Sequence, residues 1–220
     1  MTDHGAAELV ARTRREIAEA TTPNRFVDLL ETGDVPRERL GWLAGEEYRI
    51  VGSDRRSFAL LAARFPGSPS GELFLGLAQG EGQALALLGD FAAALGKSEK
   101  HLMAYEPRPL AQAYPAYLAQ RAAFGTAGEV ALAMLANLEE WGAYCARVAR
   151  ALRTRYGFAD AAVGFFDFFA APPPGFEEQA VAVIAAGLAS GDDPAEAARA
   201  ARFLHAYETA FWNVLAEGLP

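Results

Sequence analysis

Cysteine occurs once in this 220-residue chain, at Cys145, and histidine three times, at His4, His101 and His205. A single cysteine excludes an internal disulfide framework and any multi-cysteine metal site. Three scattered histidines are too few for an ordinary dinuclear centre, so neither a metal nor another cofactor is expected. Basic residues are in the minority: 20 Lys and Arg against 28 Asp and Glu leave a formal net charge of -8. The basic stretches "RTRR" (12–15) and "RVARALRTR" (147–155) wind around helices instead of forming one stripe, which argues against a nucleic-acid surface. No segment reaches the roughly 18 to 20 uninterrupted apolar residues of a membrane span. The N-terminal "MTDHGAAELVARTRREIAEA" carries early acids and no apolar signal-peptide core. These absences lead us to expect a cytoplasmic protein that handles a small molecule and engages neither nucleic acid nor membrane.

Alternating strand patterns, internal repeats and low-complexity tracts are missing too, and helical periodicity fills nearly every long segment. Helices are expected over about 6–20, over a short stretch after "TTPNR", and from Pro36 to Phe65. Further helices should cover 71–95, 108–124, 127–156, 159–170, 175–190 and 193–217, punctuated by Gly33, Pro66, Gly96, Gly125, "APPPG" and "SGDDP". Thr or Asn can cap the second helix, and Asp192 or Asp193 the last, with Pro194 in its first turn. "PPP" at 172–174 is too short to separate domains. The expected fold class is all-α, a compact bundle of about eight helices forming one domain over residues 1–220.

What the chain does have is polar groups on apolar stripes. In "FLHAYETAFWNVL" (203–215), Leu204, Glu208, Phe211 and Leu215 share a face at helical spacing, flanked by Phe203, Tyr207 and Val214. An ionised carboxylate buried there without partners costs several kcal/mol, so a shifted pKa or a paired charge is expected. The helix after Pro36 repeats the pattern with Leu43, Glu47, Ile50, Asp54, Phe58 and Leu61. On the 127–156 helix Asn137 lies among Met134, Leu138, Trp141 and Cys145, and Tyr114 and Tyr117 share a face of another. Polar groups converging from several helices on an apolar interior are what a small-molecule pocket needs. Blander roles compete: Asn137 as a helix–helix hydrogen-bonding residue, Cys145 as a small buried hydrophobe, His205 at the surface or rim, and Asp54 paired with Arg55, Arg56 or a neighbouring helix.

"RFVDLLETGDVPRERLGWLAGEEY" (25–48), "GEGQALALLGDFAAALGKSEKHL" (80–102), "AQAYPAYLAQRAAFGTAGEVALAML" (111–135) and the terminal Phe203, Glu208, Phe211 and Trp212 together cover most of the chain. In these segments it resembles the TenA (thiaminase II) family, with PqqC a more distant relative. The resemblance implies the haem-oxygenase-like all-α fold, assembly into a dimer or tetramer, and a pocket that binds an aminopyrimidine in thiamin metabolism. In that family the pocket cleaves the pyrimidine from thiamin-type compounds or deaminates it. It implies that Glu208 is the terminal catalytic glutamate. Glu47 would stand for the Asp of the Q-D-Y motif, Tyr48 for its Tyr, Tyr114 for the pocket tyrosine, and Phe211 for part of the terminal aromatic motif. The departures matter. The family's L-P-C-x-x-x-Y is "LANLEEW" here, so Asn137 takes the place of the nucleophilic cysteine and Trp141 that of the tyrosine. W-I-x-x-Y becomes "FFDFF" (165–169), with Phe169 in place of Tyr. Asn cannot attack a ring as a thiolate does. The expectation is therefore a TenA-like hydrolase without the cysteine, with Glu208 and Glu47 catalytic. Alternatives are a non-catalytic ligand-binding or regulatory protein, or a metal-dependent oxidase on the same scaffold, for which His205 and Glu208 supply one i, i+3 pair.

Overall fold

A computed structural model describes residues 3–220. Among the described residues there are ten helices and no strand. They are α1 (Asp3–Ala20), α2 (Arg25–Thr32), α3 (Arg37–Arg64), α4 (Ser70–Ala94), α5 (Glu99–Met103), α6 (Ala113–Phe124), α7 (Ala127–Tyr156), α8 (Asp160–Phe169), α9 (Phe176–Ala189) and α10 (Pro194–Ala216). The periodic segments fold as helices, most of them ending at the expected breakers, but the helix expected from 108 begins only at Ala113, after turns over 109–112. The addition is α5, too short for periodicity to register, whose first turn is closed by His101 Nδ1 accepting from the Ser98 backbone N–H at 3.0 Å.

Local chemistry accounts for the ends. The Asn24 side chain accepts from Val27 N–H and caps α2, while Gly33 terminates it at φ 88°, a left-handed conformation that Gly adopts without a Cβ penalty. Thr126 and Glu129 form a capping box on α7. Asp193, not Asp192, caps α10 by accepting from Ala195 N–H. Asp192 instead accepts from the Thr126 hydroxyl at 2.7 Å and ties the start of α7 to the α9–α10 turn.

α3 and α4 pack alongside each other, and α7 lies against α2, α8, α9 and α10. Burial divides the apolar interior into two clusters. One is built around Phe26, Leu40, Leu88, Phe91, Phe165 and Phe166, where edge-to-face rings such as Phe91–Phe166 (centroids 5.2 Å apart) fill the space. The other gathers Leu9, Phe58, Phe74, Leu132, Ile184 and Ala201. Tyr114 touches both. No helix is long and apolar enough to cross a membrane among the described residues.

Candidate small-molecule site

Where the two clusters meet, the interior is not filled. A cavity of about 230 Å³ opens between α3, α4, α6, α7, α10 and the α8–α9 connection, room for roughly eight waters at their liquid volume. Its walls are apolar: Ile50 and Val51 from α3, Leu73 and Leu77 from α4, Met134 from α7 and Leu204 from α10. Phe168, Phe169 and Phe176 close one side together with Ala171, Pro173 and Pro174. The proline run that looked like a bare connection is thus part of the wall.

Seven of the eight side chains singled out from sequence border this cavity: Glu47, Tyr114, Asn137, Trp141, Phe169, Glu208 and Phe211. Tyr48 does not. It sits one residue round α3 from Glu47, packs partly buried against the core, and its hydroxyl lies 3.5 Å from Glu99. A 100° step per residue is enough to turn it off the inner face. Tyr117 also points elsewhere, stacking with Phe203 and Tyr207 at centroid distances of 6.0 and 5.3 Å, and Phe203 is 46% exposed.

Two acids not among those eight complete the lining. Asp54 makes no ion pair: Arg55 and Arg56 are exposed, and of the expected partners it meets only a neighbouring helix, through the Tyr114 hydroxyl of α6, while its carboxyl faces the cavity. Glu81 of α4 faces it as well. The signal was in the sequence: Phe74, Ala78, Glu81, Ala84, Leu88 and Phe91 share one face at helical spacing, but the glycines on either side of Glu81 mask it. Glu47, Asp54, Glu81 and Glu208 are 1%, 4%, 9% and 7% exposed, and no Lys, Arg or His lines the cavity. Glu46, next to Glu47, is by contrast fully satisfied. It accepts from the Tyr105 hydroxyl, the Arg108 backbone N–H and Gln112 at 2.8, 2.8 and 2.6 Å.

The electrostatics follow from that geometry. Burial pushes all four cavity carboxyls up, because the charged form loses its water. For Asp54 the rise reaches about 8, with the Tyr114 hydroxyl offsetting part of it. For Glu208 it also reaches about 8; the Glu140 carboxylate adds to the effect of burial and the neighbouring Trp212 indole opposes it. Glu47 is pushed well above its ordinary value by burial and then by Asp54, Glu208 and Glu46, and Glu81 by burial, Asp54 and Glu47. Cys145 is buried in the core and held protonated by burial, Glu47 and Glu208, which makes it a packing residue and not a nucleophile.

Asn137 combines two roles. Its amide donates to the carbonyls of Ala133 (2.7 Å) and Ala201 (3.2 Å), bridging α7 to α10, while Oδ1 has no partner and the residue borders the cavity. Oxygens of Glu47, Asp54 and Glu208 are likewise buried without a donor. Behind Glu208, His205 is buried at 7% exposure, not at the rim as expected. Its Nδ1 lies 3.0 Å from Glu140 Oε2. Burial would raise Glu140, but the His205 and Tyr144 hydrogen bonds prevail and hold it below its ordinary value. Among the described residues no three His, Cys, Asp or Glu side chains converge to hold a metal ion.

Residues 14–165 match the model of the TENA/THI-4/PQQC family, well over half the chain. The chain belongs to that family. Solved structures agree on the fold. The TenA homologue from Pyrococcus horikoshii OT3 superposes with a TM-score of 0.72 at 16% identity, covering 96% of this chain and 97% of that one. A domain of unknown function with a heme oxygenase-like fold from Shewanella denitrificans OS217 gives 0.72 at 14% identity, covering 98% and 92%. A TenA family transcription regulator from Silicibacter sp. TM1040 gives 0.70 at 19%, covering 96% of each. No functionally curated protein matches the chain in sequence. In this family member Asn137, Trp141 and Phe169 all lie on the wall of the acid-lined cavity.

Proposed function

We propose that this TenA-family protein binds an aminopyrimidine or a related thiamin-derived amine in the cavity and hydrolyses it without a cysteine nucleophile. The observation that carries the reading is that Glu47 and Glu208, on two different helices, face one apolar cavity with oxygens that lack donors. An amine or amino-ring edge supplies those donors. A carboxyl that holds its proton to about pH 8, as Glu208 does, is a general acid at neutral pH, and a second carboxyl that has given up its proton is the matching base. In a deamination, water adds at the carbon bearing the amino group and passes its proton to Glu47, which ionises once the N–H donors of the bound amine reach the oxygen that burial otherwise keeps protonated. Glu208 protonates the departing nitrogen, so the amine and water become the hydroxylated ring and ammonia.

A second reading, a non-catalytic ligand-binding or regulatory protein, rests on Asn137. Its amide hydrogens are engaged by backbone carbonyls and it offers only an acceptor oxygen to the cavity. One neighbour of this fold carries the description transcription regulator. For the metal-dependent alternative, no gathered ligand set is found among the described residues. Assembly into a dimer or tetramer would cover exposed Phe124 and Phe203, at 78% and 46%.

Calorimetric titration with 4-amino-5-hydroxymethyl-2-methylpyrimidine, wild type beside Glu208→Ala, tests the site. Saturable heat lost in the variant is expected; no heat from the folded wild-type protein overturns the aminopyrimidine assignment. Ammonia release assayed on the same samples separates hydrolase from binder.

A further inference from the structure

Four carboxyls are more than one amino group needs. Glu47 and Asp54 are seven residues apart on α3, a rise of about 10 Å along the helix at 1.5 Å per residue, so the acids extend along the wall instead of meeting at one point. Asp54 bears electrostatically on both Glu81 and Glu47, and Glu208 on Glu47, which orders the acids Glu208, Glu47, Asp54, Glu81. The four thus form a row along the cavity, with apolar side chains such as Leu73, Leu77 and Met134 filling the wall. An independent mark comes from Asn137. This amide is 4% exposed, is pinned by two backbone carbonyls, and turns an unpartnered oxygen into the same space. Every orphaned polar atom on the wall is an acceptor, and no basic side chain answers them.

We infer that the ligand of this cavity is an amine with two cationic nitrogens joined by a short apolar spacer, one held at Glu47 and Glu208 and the other at Asp54 and Glu81. The inference rests on the amine-pocket reading above and specifies its ligand. A dication neutralises a row that is otherwise forced to keep its protons, and N–H donors satisfy oxygens that are otherwise unpaired. The titratable groups around the row are those four acids, Tyr114 on α6, Cys145, Glu140 and Tyr144 on α7, Glu46 on α3 and, behind Glu208, His205 on α10, which pairs with Glu140; no cationic side chain lines the cavity itself. Entry of a dication therefore expels protons from the row into solvent.

The test is calorimetry on the full chain with 1,4-diaminobutane and 1,6-diaminohexane, each against the monoamine of equal carbon number, with the aminopyrimidine as reference. Each titration is repeated at neutral pH in two buffers of different ionisation enthalpy. We expect a diamine to bind at least about tenfold more tightly than its monoamine, with more protons released. Asp54→Asn and Glu81→Gln should each reduce that preference to within about threefold, with unchanged circular dichroism. If monoamine and diamine bind alike, or only the aminopyrimidine binds, the dication inference is overturned and the amine pocket stands. A diamine preference that survives both substitutions, or that releases no protons, also overturns it. If none of the amines binds, the aminopyrimidine included, both readings fall.

Discussion

At the scale of single residues, the cavity acids are held against their own chemistry, since each lacks the counter-charge that would normally keep it ionised. Removing the ionisable group should therefore help the fold while harming the site. Glu208→Gln keeps the shape and is expected to raise the denaturation midpoint or leave it unchanged while abolishing ligand heat and turnover. Urea unfolding beside titration checks both, and unchanged turnover would remove Glu208 from the mechanism. Asn137→Cys is the complementary change. The new thiol would face Glu47 and Glu208 and no cation, so its pKa is expected to rise, not fall. Alkylation by iodoacetamide should stay slow at neutral pH, and the loss of two hydrogen bonds to α7 and α10 should cost about 1–3 kcal/mol. Fast alkylation would show that the surroundings can activate a nucleophile at this position after all.

At the scale of elements, the helices were legible because each rests on local signals: periodicity inside, breakers between. Periodicity also had the right phase on α3, and it was the family resemblance that put Tyr48 among the site residues. Tyr48 adjoins Glu47 in sequence and still leaves the cavity, whereas Asp54, seven residues on, returns to it. Gly45 shows how neighbouring elements add constraints of their own. A Cβ there would lie 2.4 Å from the Tyr105 ring, whose hydroxyl donates to buried Glu46. Gly45→Ala is expected to displace that ring, weaken the Glu46 bonds and destabilise the protein by about 1–3 kcal/mol, measured as a shift in urea midpoint. A neutral result would mean that α3 and the α5–α6 loop can move apart freely.

For the molecule as a whole, the unpaired acids set a pH dependence with a definite sign. In the unfolded chain Asp54 and Glu208 ionise near their ordinary values of 3.8 and 4.5, while in the fold both hold their protons to about 8. The folded state binds more protons across that interval, so stability is full below it and falls as pH rises through it, by up to about 1.4 kcal/mol per pH unit for each group. Thermal melts should thus show the midpoint highest near the acid end of the interval and declining toward pH 8. Asp54→Asn should flatten the decline, and a melting temperature indifferent to pH would mean that the row finds counter-charges the fold does not display.

Composition and periodicity were enough to specify an all-α chain and most helix ends, because those depend on neighbours within a few residues. They also marked Glu208 and Glu47 as misplaced charges, since an acid amid apolar residues at 3.6-residue spacing is visible without a fold. Their gathering into one row was not visible there. Glu81 shares a stripe with Phe74, Ala78, Ala84 and Leu88 that its flanking glycines blur, Asp54 had arginines beside it in sequence that turn outward in space, and His205 is buried by helices far away in the chain. Whether a polar side chain meets a partner, solvent or an empty cavity depends on which helix faces packed against each other, and that is settled only when all of them are in place.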